Sequence, residues 1–189
     1  YFLSSLYWIS ISLTFDESFK YLIPISLVAV PSFLAIFYGL ITILFSVFFS
    51  KKLSITFLIF SIIFGTIEII RGSIFTGFPW NLIAFSFSKN LYFLQILSVI
   101  GTYSFNLVCI SIFTCPALFL LKKTKKDVFL GIFFIFIAFS FTIFGFIKNK
   151  QFDSIKNEKH EYIIRAVSPN IEINRFYSDQ YETDILNEL

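Results

Sequence analysis

Long apolar runs that carry almost no charge dominate this sequence and limit the folds open to it. A helix needs about 20 apolar residues to cross the hydrocarbon core of a bilayer. Four runs approach or exceed that length, at residues 21–50, 53–70, 91–121 and 128–147. A shorter run at residues 1–13 is interpreted as part of a further span. The chain is therefore predicted to cross a membrane several times.

The composition is typical of a chain that is surrounded by lipid and not by water. Hydrophobic residues make up 57% of the chain and charged residues 14%, with 29 phenylalanines. A soluble domain is about half apolar and about a quarter charged. The mean hydropathy is +0.81. The net charge of +3 is small and scattered, so no nucleic-acid partner is predicted.

Backbone hydrogen bonding decides whether these runs are helices or strands. A strand facing lipid leaves its backbone groups unpaired unless it belongs to a closed barrel. Barrel strands are about 10 residues long and alternate between apolar and polar side chains. The runs of this chain are longer and apolar on every side. We therefore predict a mainly α fold, a polytopic transmembrane helix bundle over residues 1–147.

The distribution of basic residues predicts an orientation. Two turns on one side of the bundle hold six lysines: Lys51, Lys52, Lys122, Lys123, Lys125 and Lys126. The short loops on the opposite side hold three basic residues: Lys20, Arg71 and Lys89. Basic residues are enriched in the cytoplasmic loops of membrane proteins. The lysine turns are therefore predicted to be cytoplasmic, and the polar C-terminal segment to lie on the outer side.

The loop after the second full run is the most distinctive stretch, RGSIFTGFPWN at residues 71–81. Pro79 prevents a regular helix there, and Phe75, Phe78 and Trp80 are large and apolar enough to lie in the interface. The loop is either an aromatic anchor between two helices or a lipid-facing wall of a substrate site. Composition favours the anchor, because aromatic belts are common at membrane interfaces.

Charged and polar residues within the runs are the other candidates for a site. Glu68 and Arg71 are three residues apart, so on a helix they share a face and can pair. Ionisable residues in a span are functional candidates, but Glu68 lies near the end of its run, where pairing with Arg71 and water costs little. A structural ion pair and a substrate contact both stay open. Gln95 and Asn106 are expected to bond to neighbouring helices.

Cysteine and methionine usage is also informative. Cys109 and Cys115 lie six residues apart in one apolar run and lack the CxxC spacing of a metal or redox site. We interpret them as small packing residues, and we predict no metal site and no cofactor. The sequence contains no Met, so we expect the chain to be a fragment of a longer protein.

The C-terminal segment has a different character. Residues 148–161 are polar and charged and are predicted to be a linker. Residues 162–167 are rich in β-forming side chains and predict a buried strand. Asp179 and Glu182 have the spacing of a helix capping box. We interpret residues 162–189 as the truncated start of an α/β domain, too short to be stable alone.

Two motifs in the outer loop carry a family resemblance: ExxRG at residues 68–72 and FTGFPWN at residues 75–81. Together they resemble the outer-loop signature of bacterial apolipoprotein N-acyltransferases. Further stretches agree, and they lie in the expected order: LYWI at residues 6–9, Gln95, GTYS at residues 101–104 and VSPNI at residues 167–171. The last of these resembles the first strand and turn of the nitrilase-like domain of that family. The resemblance covers nearly the whole chain.

The resemblance implies a multi-pass enzyme of the bacterial inner membrane that completes lipoprotein maturation. Such enzymes take an acyl chain from a membrane phospholipid and pass it to the amino group of a diacylglyceryl apolipoprotein. Their chemistry resides in a periplasmic α-β-β-α nitrilase-like domain with a Glu, a Lys and a Cys. The Cys forms a thioester with the acyl chain, aided by the Glu as base and the Lys at the oxyanion.

None of these three catalytic residues is expected within the chain, because all of them would follow Leu189. The chain alone is therefore expected to be inactive. It departs from the family at Tyr177, where a Trp is common. Within the chain, Glu68, Arg71, Phe75, Phe78 and Trp80 are the candidates for substrate binding: the two charged residues at the helix end and the three aromatic residues of the loop.

Two other functions fit parts of the sequence. A polytopic transporter or channel component with a soluble accessory domain would need polar residues that converge in the membrane, and the spans offer Asn106 and Gln95 without a charged partner. A membrane-anchored nitrilase-like amidase with another substrate is the third alternative. The coding sequence downstream of Leu189 would separate the three. A Glu, Lys and Cys in nitrilase order and then one closing span would support the acyltransferase, and further spans without such a triad would overturn it.

Overall fold

The computed structural model describes residues 1–74, 77–121 and 124–154. Within those ranges the chain is helical and has no β-strand. The α-helices are α1 (Phe2–Ser5), α2 (Ile23–Phe48), α3 (Leu53–Ser73), α4 (Leu91–Leu94), α5 (Leu97–Thr114), α6 (Pro116–Leu120) and α7 (Lys125–Ser154). Short 3₁₀ helices span Tyr7–Thr14, Glu17–Leu22 and Ile83–Phe87.

Four helical stretches are long and apolar enough to cross a membrane: Glu17–Phe48, Leu53–Ser73, Leu97–Leu120 and Lys125–Ser154. Their surfaces are apolar as well, with side chains such as Val47, Phe129 and Phe136 exposed by 69%, 72% and 64%. A soluble protein rarely exposes such a large apolar surface. The prediction of a mainly helical chain with four membrane-capable helices is confirmed. The predicted α/β segment lies outside the described residues.

The core lies between α3, α5 and α7, with α4 packed against α7. One cluster joins the segment before α4 to α5 and is built from Leu82, Ala84, Phe93, Ile96, Phe105 and Cys109. A second cluster joins α3, α6 and α7 through Phe57, Leu118, Phe134 and Cys115. Both cysteines are therefore buried packing residues, 0% and 4% exposed.

The apolar run at residues 91–121 is not one straight helix. The short helix α4 is capped by Asn90, whose side-chain oxygen accepts a hydrogen bond from the Phe93 amide at 3.1 Å. Within α5, Gly101 has φ 73° and ψ 171°. This left-handed backbone interrupts the helix at a residue that tolerates it because it has no Cβ. The length and apolarity of the run at residues 91–121 do not predict this interruption of the helix.

Helix α7 runs to Ser154, so the first residues of the predicted linker at 148–161 are helical. A helix keeps its backbone hydrogen bonds in water as well as in lipid, so the end of an apolar run need not end the helix. Lysine and glutamine, which follow Ile147, are also good helix formers. The Asn149 amide donates a hydrogen bond to Asp153, one turn later, at 3.4 Å.

The residues from Tyr1 to Pro31 belong to one compact unit, and a second unit begins at Ser32. The predicted partial span at residues 1–13 is not a continuous α-helix, since α1 ends at Ser5 and a 3₁₀ helix follows. Side chains here hydrogen-bond to carbonyls three residues earlier, as Ser12 does to Ile9 and Thr14 to Ile11, both at 2.7 Å. Such bonds compete with the α-helical pattern.

Candidate functional site

Glu68 and Arg71 form an ion pair at the end of α3, as their spacing predicted. Arg71 Nη2 lies 2.7 Å from Glu68 Oε2. The position of Glu68 near the end of its run predicts contact with water, but each residue of the pair is only 1% exposed. That expectation was wrong: α3 continues to Ser73, so both residues lie within the helix and not at its last residue. A buried ion pair needs close geometry and further hydrogen bonds to offset the loss of solvation.

Arg71 also binds described residues of the 71–81 loop. Its Nη1 donates a hydrogen bond to the Trp80 carbonyl oxygen at 2.9 Å. Its own carbonyl oxygen accepts a hydrogen bond from the Phe78 amide at 3.2 Å. Loop residues are thus bound both by the side chain and by the backbone of one helical residue. The loop turns through Gly77 and Asn81, which have φ angles of 77° and 62°.

A second buried polar side chain, on α5, holds the segment that follows the loop. Asn106 is 0% exposed, and its Oδ1 accepts a hydrogen bond from the Ala84 amide at 2.9 Å. Asn106 therefore bonds to a neighbouring helix, as the sequence predicts, and this neighbour is the short 3₁₀ helix Ile83–Phe87. Arg71 and Asn106 therefore hold the connection between α3 and α4 at two points.

Two tyrosines complete the surroundings of the pair. Tyr38 of α2 lies beside the Glu68 carboxylate. The Tyr103 hydroxyl lies against Gly72, in space that a side chain at position 72 would occupy. Tyr38 cannot be singled out from the sequence, since a tyrosine in an uncharged run gives no signal of its own. Tyr103 was visible only as part of the GTYS stretch of the resemblance.

The predicted site residues divide into a buried layer and an exposed layer. The structure brings Glu68 and Arg71 together beneath the loop, and it leaves the Trp80 side chain 53% exposed above them. Phe78 is half-buried. Phe75 lies outside the described residues. The arrangement can position an aromatic loop, and the ion pair is engaged within the protein.

Among the described residues, neither a cysteine nor a metal-binding cluster lies at this site. Both cysteines lie in apolar clusters of the core. Among the described residues no group of three His, Cys, Asp or Glu side chains could hold a metal ion.

Comparisons with known proteins agree with the motifs of the loop. The family model described as "Apolipoprotein N-acyltransferase N-terminal domain" matches residues 1–113. The apolipoprotein N-acyltransferase of Brucella melitensis is 31% identical over 172 residues, covering 90% of this chain and 32% of the relative. That of Rickettsia prowazekii is 36% identical over 133 residues, covering 69% of this chain and 26% of the relative.

A third relative extends the match along the chain. The apolipoprotein N-acyltransferase of Rhodopseudomonas palustris is 25% identical over 193 residues, covering 100% of this chain and 35% of the relative. The chain thus spans about a third or less of the length of these relatives. No solved structure matches it. The region matched by the family model contains the ion pair, the loop and Asn106, and the chain therefore belongs to the apolipoprotein N-acyltransferase family.

Proposed function

We propose that the chain is the membrane part of an enzyme that acylates lipoproteins. The acyl chain would come from a membrane phospholipid, and the acceptor would be the N-terminal diacylglyceryl-cysteine of an apolipoprotein. Family membership carries this proposal, because the matched relatives are named apolipoprotein N-acyltransferases. The four membrane-capable helices support it, since both the acyl donor and a lipidated acceptor reside in a bilayer.

The role of the described residues in this function is to build a platform. The Glu68–Arg71 pair is fully buried, and it holds the backbone of the outer loop through the Trp80 carbonyl. The loop in turn presents the Trp80 ring outward. We assign Trp80, Phe78 and Phe75 to the lipid-facing wall of the substrate site. Glu68 and Arg71 are positioning residues, because their charged groups are engaged inside the protein.

The chemical steps would take place in a periplasmic nitrilase-like domain. A Cys thiolate there attacks the phospholipid ester, forms a thioester and releases the lysophospholipid, after which the apolipoprotein amine takes the acyl group. The catalytic Glu, Lys and Cys are expected after Leu189. Cys109 and Cys115 are buried in the membrane-spanning part, which supports the proposal that this chain alone transfers no acyl group.

The chain would lie in the bacterial inner membrane with its lysine turns in the cytoplasm and the 71–81 loop outside. The lysine count of the turns supports this orientation. It would place the loop on the same side as the nitrilase-like domain. Donor phospholipid could then reach the catalytic residues from the outer leaflet without crossing the bilayer.

The platform role is tested by replacing Trp80 in the full-length enzyme that carries this chain. Trp80→Ala removes a half-exposed aromatic side chain, and we expect a rise in KM for phospholipid of about tenfold, corresponding to roughly 1.4 kcal/mol of lost binding. Trp8→Ala is the matched control, since Trp8 is 46% exposed. Equal acyl-transfer kinetics for wild type and Trp80→Ala would contradict a role of the loop in substrate binding.

A separate experiment tests which part of the enzyme forms the acyl intermediate. The 189-residue chain and the full-length enzyme are each incubated in detergent with phospholipid, and a covalent acyl adduct is sought by intact-protein mass spectrometry. We expect the adduct on the full-length enzyme alone. A thioester on Cys109 or Cys115 of the short chain would overturn the assignment of catalysis to the nitrilase-like domain.

A further inference from the structure

At the end of the bundle opposite the outer loop, one buried carboxylate joins two turns. Asp127, in the first turn of α7, is only 2% exposed. Its Oδ2 accepts hydrogen bonds from the Thr124 amide at 2.8 Å and the Thr124 hydroxyl at 3.0 Å. Its Oδ1 accepts from the Ser54 amide at 3.1 Å and from the Ser54 hydroxyl. The start of α3 and the start of α7 are therefore held together.

This junction gathers lysines from both turns around one cavity. Lys51 and Lys52 directly precede α3, and Lys125 and Lys126 begin α7. All four are exposed, and none pairs with a carboxylate of another described residue. Together with Asp127 they line an open cavity of about 680 Å³. Because Asp127 contributes one negative charge to four positive ones, the cavity is strongly basic.

The position of these lysines is unfavourable for the helices themselves. A helix N-terminus carries a partial positive charge, so cations near it are destabilising and anions are stabilising. Two helix N-termini and four lysines meet at this cavity. An anion bound there would offset the repulsion among them. Charge complementarity therefore indicates a negatively charged occupant.

The surroundings of the cavity indicate that this anion belongs to a lipid. Both α3 and α7 are long and apolar enough to cross a membrane, so their first residues lie where hydrocarbon meets water. Leu53 and Ile55 line the cavity beside the lysines, which offers apolar surface next to the charge. Basic pockets between transmembrane helices bind the headgroups of anionic lipids.

We propose that this cavity binds the phosphate headgroup of an anionic phospholipid such as phosphatidylglycerol or cardiolipin. Along α3, Ser54 and Arg71 are 17 residues apart, which corresponds to about 25 Å at 1.5 Å per residue. The site therefore lies at the other end of α3 from the outer loop, and the lipid held there is not the acyl donor. Its role is to stabilise the two turns against the bilayer surface.

Native mass spectrometry of the detergent-purified full-length enzyme that carries this chain tests the proposal with titrations of phosphatidylglycerol, cardiolipin and phosphatidylethanolamine. The test variant is Lys51→Gln/Lys52→Gln/Lys125→Gln/Lys126→Gln, and its matched control is Lys20→Gln/Lys89→Gln/Lys148→Gln/Lys150→Gln. A lysine near an anionic membrane surface contributes on the order of fivefold in binding. We expect at least about tenfold weaker retention of the anionic lipids by the test variant, and wild-type retention by the control.

Further experiments distinguish a bound lipid from other causes of a change in lipid retention. Replacing the four cavity lysines by arginine should keep retention at the wild-type level, because charge is preserved. Glycerol phosphate at the lipid concentration should not compete, since it lacks acyl chains. Labelling of a cysteine at Ser88 and a thermal unfolding curve show whether a variant has kept its orientation and fold, and the milder Lys51→Gln/Lys125→Gln variant should show an intermediate loss.

Equal loss of the anionic lipids in the test and control variants would overturn the proposal, because net charge and not this cavity would then set the binding. Equal retention of phosphatidylethanolamine and phosphatidylglycerol by the wild type would overturn the selectivity for an anionic headgroup. Displacement by glycerol phosphate would assign the cavity to a soluble phosphate and contradict a lipid occupant.

Discussion

Arg71 and Trp80 are nine residues apart, and the Arg71 guanidinium donates a hydrogen bond to the Trp80 carbonyl oxygen at 2.9 Å. The same guanidinium pairs with Glu68 at 2.7 Å. One buried cation thus joins the last turns of a membrane-capable helix to the loop that carries the most distinctive motif of the chain. Trp80 is thus tied to an ion pair whose two side chains are 0% exposed.

The first prediction concerns this ion pair. Arg71→Gln leaves the Glu68 carboxylate buried without its counter-charge, which costs about 3–5 kcal/mol in buried pairs. We expect a clear drop in thermal unfolding temperature in detergent. Glu68→Gln/Arg71→Gln removes both charges and should recover part of the loss.

The matched control for the ion pair is the exposed pair Glu17–Lys20, which has the same three-residue spacing. Its side chains are 86% and 45% exposed, so Lys20→Gln should leave the unfolding temperature almost unchanged. If Arg71→Gln lowered the unfolding temperature no more than Lys20→Gln does, the buried pair would not contribute to the stability of the fold.

The second prediction concerns the close approach of Gly72 and Tyr103. A Cβ at position 72 would overlap the Tyr103 hydroxyl. Overpacking of this kind lowers the free energy of unfolding by about 1–3 kcal/mol, so Gly72→Ala should lower the unfolding temperature. In Gly72→Ala/Tyr103→Phe the hydroxyl is absent and the nearest ring carbon, Cζ, is 3.0 Å from the added Cβ. The double variant should therefore be more stable than Gly72→Ala. Additive losses in the double-mutant cycle would contradict this contact.

The third prediction concerns Asn106. Asn106→Leu keeps a similar volume but leaves the buried Ala84 amide without its acceptor, which costs about 1–3 kcal/mol. We expect faster hydrogen exchange in the 3₁₀ helix Ile83–Phe87, measured by mass spectrometry. Asn149→Leu is the control, since the Asn149 amide makes an exposed hydrogen bond to Asp153. Unchanged exchange at Ala84 in Asn106→Leu would show that the segment is held by other contacts.

The fourth prediction concerns orientation. Single cysteines at Lys51 and Ser88 occupy exposed positions at the two ends of the bundle, and Cys109 and Cys115 are too buried to compete for label. In intact spheroplasts, a membrane-impermeant maleimide should label position 88 and not position 51. Permeabilised cells provide the control, in which both positions react. Label at 51 but not at 88 in intact spheroplasts would invert the topology.

The sequence alone predicted those features that depend on local pattern. The four membrane-capable helices follow from run length and apolarity, because lipid leaves a backbone no other way to satisfy its hydrogen bonds. The Glu68–Arg71 pair follows from a spacing of three residues, which brings two side chains to one face of any helix. The loop motif carried the family resemblance, and residues 1–113 match that family.

Only the tertiary structure decided which distant groups meet. Asn106 bonds to Ala84 across 22 residues and Asp127 to Ser54 across 73 residues, and neither spacing has a periodic signature. Such contacts depend on how apolar helices pack, on the interruption at Gly101 and on the paths of the loops. The bond from Arg71 to the Trp80 carbonyl oxygen also joins residues whose spacing of nine has no helical signature. The lengths of the apolar runs therefore determined the helices of this protein, and the packing between the helices determined which polar side chains meet.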